Sequence, residues 1–428
     1  MQFSNTSQEY FNFFIEHFNK CIIKNKESKQ KNQNKIFNKL FLDIREADKY
    51  VKTLNAFDNC LSGIVLDIKS KKGLALPSTY SNDYFPQEIR KEIETKTFNK
   101  ILYYCVLNER KITLAFFTFK NETNFAIYDK YAKQVFMLIA ILTHYSSSEC
   151  SKSLNIFIYL TDFKRIIPDN NYTILGAYNV NGGFTTTCDK NSEIVVYRKE
   201  EWFKVLIHET FHNLGLDFSK MNTNQFHSKI KQIFPIDSKF NIFESYCEFW
   251  ARILNSAFCS YNVIDNKNDK DAFKTFLDFF IQIERLFSLF QCNKILNFLG
   301  ISYQNLYETD NGSHIARENL YKEKTNVFAY YIVTAFLLDN YVNVINWCNK
   351  NNSSCFKFNN SQRNLDLFYN LIENSYKRNE FLKNLICVSN YASKLNKKTN
   401  KNNKNNKFVN NEINNIFKTT RMTIMEFQ

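Results

Sequence analysis

Eight glycines and four prolines in 428 residues leave this chain few places to turn tightly, while 43 phenylalanines and 24 tyrosines give it a bulky interior to fill. Glycine allows left-handed turns and proline fixes rigid ones, so a chain this poor in both is predicted to be mainly helical. At 44 % apolar content it is long enough to bury one large core or two smaller ones.

Within that frame one local pattern carries chemistry. His208-Glu209-Thr210-Phe211-His212 spends two of only six histidines on positions four apart. At 3.6 residues per turn both imidazoles project from one helical face and can reach one ion. A zinc ion held there would acidify a water, and Glu209 stands where a carboxylate could take the proton as that water attacks a peptide carbonyl. The surroundings agree. Lys199–Leu214 reads as an amphipathic helix with Glu200 and Glu201 in its first turn, and Gly215 as its C-cap. Glu193–Tyr197 and Leu154–Leu160 read as buried strands. Between them, residues 176–187 read as an edge strand in which Asn181, Gly182, Gly183 and Phe184 would offer backbone groups to an extended peptide. A plain hairpin turn at Gly182-Gly183 fits the same residues.

Zinc of the catalytic kind needs a third protein ligand. Six residues beyond His212 stands Phe218, with Asp217 one place off, so the metzincin spacing fails. A later helix over Phe243–Asn255 instead aligns Glu244, Glu248, Arg252 and Asn255 near one face. Glu244 is the expected third ligand. Glu248 would orient a ligating histidine through its other ring nitrogen, with Arg252 pairing it in turn. Apolar Phe249, Trp250, Ile253 and Leu254 imply that this helix is buried, where two carboxylates need a cation.

His208-Glu209-Thr210-Phe211-His212 followed by Glu244-Ser245-Tyr246-Cys247-Glu248 resembles the gluzincin branch of zinc metallopeptidases. The run from Asn181 to Ser219, with Glu244–Ala251, is also similar to metallopeptidases encoded by large DNA viruses. The resemblance implies an α+β, predominantly helical fold: a zincin-like catalytic domain with a small twisted mixed sheet, an active-site helix bearing the motif, and a helical lower subdomain. It implies one Zn2+, a peptide or protein substrate, and an oxyanion donor. Tyr330, Tyr331 and His314 are candidates for that last role, although a core aromatic is the default reading of either tyrosine and a loop position that of His314.

The remaining signals set the organisation. Residues 1–98 read as a helical N-terminal module, 99–300 as the catalytic region, 301–394 as a helical C-terminal subdomain, and 395–428 as a Lys/Asn-rich linker and tail. A hairpin is expected about Asn108-Glu109, and Thr419–Gln428 regains strand character. Lys394–Lys407 carries six lysines and no acid, which with a net charge of +14 keeps nucleic acid open as a partner. A basic nucleic-acid-associated protein and a catalytically silent virion scaffold are therefore the alternative functions. Eleven cysteines without a C-x-x-C pair read as reduced thiols. Neither a signal-peptide pattern nor a membrane span is evident, so an intracellular, cytoplasmic setting is expected, host cytoplasm or virion for a viral protein.

Overall fold

Among the described residues the strands lie between Ile64 and Val196, with helices on either side in sequence. The structure, a computed structural model, describes residues 2–21, 27–68, 74, 76–120, 124–401 and 414–427. First come α1 (Asn5–Phe18), α2 (Glu27–Asp58), β1 (Ile64–Asp67) and α3 (Gln87–Lys96). The expected hairpin follows as β2 (Asn99–Leu107) and β3 (Arg110–Thr118), antiparallel and joined by Asn108 and Glu109, both with positive φ. Two left-handed residues in succession match the twist of the strands they join. Then come α4 (Ala126–Thr143), β4 (Ser153–Tyr159), α5 (Ala177–Val180), β5 (Gly183–Thr185), β6 (Asn191–Val196) and α6 (Trp202–Asn213). The helical half comprises α7 (Asn224–Ile233), α8 (Phe243–Val263), α9 (Lys270–Leu299), α10 (Asn311–Leu320), a π-helical turn at Phe328–Val333, α11 (Thr334–Asp339), α12 (Tyr341–Asn351), α13 (Gln362–Glu373) and α14 (Asn379–Lys401).

The six strands form one mixed sheet in the order β1-β2-β3-β4-β6-β5. β3, β4 and β6 run parallel, and β1, β2 and β5 are antiparallel to their neighbours. Alternation along each strand divides the side chains between two layers. Ile194 and Val196 face the main core with Ile156, Ile158, Leu114 and Phe116, whereas Val195 and Tyr197 face a smaller cluster with Phe117, Tyr159, Phe85, Ile89 and Ile93. The second cluster is where α3 and the segment around Pro86 cover the sheet. The α+β architecture, predominantly helical with a mixed sheet, is thus present.

Several boundaries differ from the sequence reading. β1 comes from the N-terminal 98 residues yet pairs with β2, and one core runs from Tyr10 to Met425, across the boundaries expected at 98, 300 and 394. Residues 176–187 are not one strand, because α5 occupies their first part and only Gly183–Thr185 pairs with β6. Nor is Gly182-Gly183 a hairpin turn. The segment 328–351 is a π turn followed by two helices, with a 91° bend between Phe328–Asp339 and Tyr341–Asn351. No single helix among the described residues is long and apolar enough to cross a membrane. α14 continues to Lys401, past the expected start of a linker at 395, and 402–413 lie outside the described residues. Four cysteines are not free thiols: Cys21 is bonded to Cys387 and Cys150 to Cys188.

The paired glycines have a steric reason. A Cβ on Gly183 would lie 2.7 Å from the carbonyl oxygen of Val195 and 2.8 Å from Cγ1 of Val205, so β5 can approach both β6 and α6 only without a side chain there. Gly183→Ala is expected to cost about 1–3 kcal/mol in urea denaturation, because the nearest clash is with backbone. Gly176→Ala, whose nearest neighbour is Lys324 at 3.9 Å, serves as the control and should stay within about 0.5 kcal/mol of the parent.

Glu323 fixes the entry to the π turn by accepting a hydrogen bond from the Phe328 amide at 2.8 Å. Burial pushes its carboxyl up to about 8, against the bonds from the Phe328 and Val327 amides. Between the ordinary carboxylate range and about pH 8 the folded state therefore keeps a proton that the unfolded state has released, and stability falls as pH rises through that window. Glu323→Gln should match the parent near pH 5 and be the more stable of the two at pH 8. Equal urea midpoints at both pH values would contradict the assignment.

Candidate metal centre

α6 lies beneath β5 and β6 and packs on α8, so each helix presents a stripe of polar side chains to the other. On α6 the stripe is Lys204, His208 and His212, and on α8 it is Glu244, Glu248 and Arg252, each set with four-residue spacing. Such spacing stacks side chains along one face. All six are buried, except that Glu244 opens partly to a cleft.

Where the stripes meet, three donor atoms converge. His208 Nε2 is 3.0 Å from Glu244 Oε2, His212 Nε2 is 3.3 Å from the same oxygen, and the two ring nitrogens are 3.2 Å apart. Donors about 2.0–2.1 Å from a common zinc in a tetrahedron stand about 3.3–3.4 Å from one another, so the spacing fits such an ion closely. The donor set also fits chemically, since a carboxylate and two imidazole nitrogens come together on residues that all line the cleft.

The other nitrogen of each ring faces a carboxylate. His208 Nδ1 lies 3.2 Å from Glu248 Oε2. Glu248 in turn accepts from Lys204 Nζ at 3.0 Å through each oxygen and from Arg252 Nε at 2.9 Å. His212 Nδ1 pairs with Asp217, whose other oxygen accepts from the Ser219 amide at 3.0 Å and hydroxyl at 2.7 Å. Asp217 reaches back because Gly215, at φ +61°, ends α6 and reverses the chain. The Cys247 thiol adds a contact of 3.3 Å to Asp217. His212, Asp217 and Cys247 form a second close group of metal-ligating types, but here Nδ1 and the carboxylate are already hydrogen-bonded to each other.

Burial and charge oppose each other at every titrating group. For Glu244, burial would raise the carboxyl, but the charges and hydrogen bonds of His212 and His208 hold it well below the usual carboxylate range. Glu248 is depressed too, with burial outweighed first by Lys204. Burial pulls Lys204 down to about 8 despite Glu248. At Glu209 burial prevails, raising the carboxyl against the opposing charges of His208 and His212.

Of the sequence candidates, His208, His212, Glu244, Glu248 and Tyr330 come together, with Glu209 beside them. Tyr330 Oη donates to Glu244 Oε2 at 3.0 Å from within the π turn, a local widening that often accompanies functional sites. Tyr331 is not at the cluster: its neighbouring position turns it to the carbonyl of Thr420, to which it donates at 2.6 Å. His314 is not there either, but exposed on α10 with Glu318 as its partner at 3.4 Å. Asn181, Gly183 and Phe184 line a cleft of about 230 Å³ over the cluster, with Tyr84 and Asn326 among the other walls. Gly182 lines a small adjoining cavity behind Glu209. Asn326 donates to Glu244 Oε1 at 3.3 Å.

Asp217, Lys204, Asn326 and Tyr84 were not legible as site residues. Lys204 left a signal, at the same four-residue interval before His208 that separates His208 from His212, and so did Asp217, one place off the metzincin ligand position. A wider groove of about 550 Å³ between α2 and α4 is remote from this chemistry, and its Asp43 is already engaged by Lys39 and Tyr145.

No family model and no solved structure matches the chain. It is similar to an uncharacterized protein of Acanthamoeba polyphaga mimivirus, 29 % identical over 228 residues, which cover 52 % of this chain and 52 % of the relative. The chain thus spans about half the length of the curated relative it matches.

Proposed function

We propose that this protein is a zinc-dependent metallopeptidase of the glutamate-ligand type, with a zincin-like arrangement of sheet, edge strand and motif helix. The observation that carries the reading is the convergence of His208 Nε2, His212 Nε2 and Glu244 Oε2 within 3.3 Å of one another at the floor of a cleft. When bound, a zinc ion supplies Lewis-acid polarisation of a carbonyl and acidification of a water.

The chain's own groups divide the remaining work. Glu209 sits next to both ligand histidines, and burial raises its proton affinity, which suits a carboxylate that takes a proton from the attacking water and returns it to the leaving amine. Tyr330, its hydroxyl 3.0 Å from the Glu244 carboxylate, is the donor placed to stabilise an oxyanion. β5 lies at the sheet edge, where an extended peptide can add its backbone hydrogen bonds, and Gly183 brings that edge against the side chain of Glu209.

Two substitutions separate metal binding from turnover. Glu209→Gln should retain one zinc per chain and lose cleavage of a mixed peptide library by about 10²-fold or more. Glu244→Ala should lose zinc itself, measured by mass spectrometry after dialysis against a weak chelator. Zinc absent from the parent chain would refute the reading, as would undiminished cleavage by Glu209→Gln.

Tyr330→Phe keeps the ring and removes only the donor. It is expected to lower kcat by about 10²–10³-fold with little change in KM or in zinc content. A change confined to KM would place Tyr330 in substrate binding and remove it from oxyanion stabilisation.

A further inference from the structure

The segment 419–427 contains Thr419, Thr420, Arg421 and Thr423, yet residues 419–425 are all buried. Its backbone is satisfied by side chains far away in sequence. The Met422 amide donates to Glu201 Oε1 at 2.9 Å, the Thr423 amide donates to the same oxygen, and the Ile424 amide donates to Glu284 at 2.8 Å. Glu426 returns the contact by accepting from the Glu201 amide at 2.9 Å.

Glu201 is the residue immediately before α6, and it stands in the left-handed region at φ 56° and ψ 26°. A non-glycine residue keeps that strained conformation only when its surroundings over-determine it. Here the segment does so, holding both the amide and the carboxylate of Glu201, with Arg165 as the other partner of that carboxylate. The first turn of the motif helix is therefore aimed by residues more than two hundred positions away.

A second contact reaches nearer to the cluster. The Lys204 ammonium has three protons, and its partners are Glu248 Oε1, Glu248 Oε2 and Met422 Sδ at 3.5 Å. Glu248 is the carboxylate on His208 Nδ1. Met422 also lines the small cavity behind His208 and Glu209.

We propose that residues 422–426 are a positioning element of the metal site, acting through Glu201 on the aim of α6 and through Met422, Lys204 and Glu248 on the ring of His208. The inference rests on the zinc reading above. The test uses the full chain, with zinc affinity measured by chelator competition, the visible spectrum of the cobalt-substituted protein, and the melting temperature. Glu201→Ala and Met422→Ala should each weaken zinc by about tenfold or more, the usual effect of disturbing a ligand's hydrogen-bond partner, and shift the cobalt bands. Met422→Ala leaves the backbone bonds of the segment intact, so it carries the test should Glu201→Ala fail to fold. Phe427→Ala, which removes a ring stacked on Phe3, should lower the melting temperature and leave zinc affinity unchanged. Lower melting temperatures with zinc affinity within about twofold of the parent in Glu201→Ala and Met422→Ala would make the segment a structural strap and overturn the inference. A parent chain without zinc would instead remove the metallopeptidase reading, and this inference with it.

Discussion

Glu248 is the buried charge on which the centre depends. One carboxylate, almost wholly removed from water, holds Lys204, Arg252 and the ring of His208 at once. Removing one partner of such a pair strands the other, which typically costs about 3–5 kcal/mol. The ladder therefore fixes the register of α6 on α8 more strictly than apolar packing would, because a shift of one turn would leave like charges facing each other. That register is what brings Glu244 opposite His208 and His212. A replacement of the whole ladder by leucines and phenylalanines could pack as well, but it would not specify which turn of α8 faces which turn of α6.

The cleft is closed on its other side by contacts that join distant parts of the chain. Thr325 donates to Asn181 Oδ1 at 2.7 Å, linking the approach to the π turn with the approach to β5. Asn326 holds Glu244 Oε1 and accepts from the Asn241 amide at 2.9 Å. The edge strand, α8 and the π turn that carries Tyr330 are thus tied at the cleft by short amide and hydroxyl side chains. These have few rotatable bonds, so little side-chain entropy is lost in holding the geometry. Asn213, directly after His212, does the same beneath the cleft by donating to Thr185 of β5 at 3.0 Å.

The local part of this centre was legible in the sequence. His208 and His212, Glu244 and Glu248, Asn108-Glu109 and Gly215 each declare themselves through neighbours within a few residues, where helical spacing or turn chemistry decides the outcome. Asp217 was visible as a residue near a ligand position, but its role depends on the reversal at Gly215 that points it back at His212. β1 left no alternating pattern because all four of its residues are exposed at the sheet edge. Tyr330 and Tyr331 are adjacent and chemically alike, and only the winding of the π turn sends one to Glu244 and the other to Thr420. The segment at 419–427 carried strand character in its residues, but the carboxylates that receive its amides, Glu201 and Glu284, lie 221 and 140 residues away.

Those long separations bear on how the centre is held. α6, with its own cap and its packing on β6 and α8, is built mainly from contacts within about sixty residues, whereas the conformation of Glu201 at its start relies on residues 422–426. Contacts between distant segments bear the cost of closing long loops before they stabilise anything. In their absence Glu201, Glu284 and Lys204 would each lose hydrogen-bond partners inside the protein, and buried polar groups without partners draw in water or move. His208, His212 and Glu244 can thus be near one another while the second ring nitrogens of the histidines and the helix start are still loosely held. Tight geometry at the two histidines is a property of the whole chain, set in part by residues that never touch the cleft where a peptide would lie.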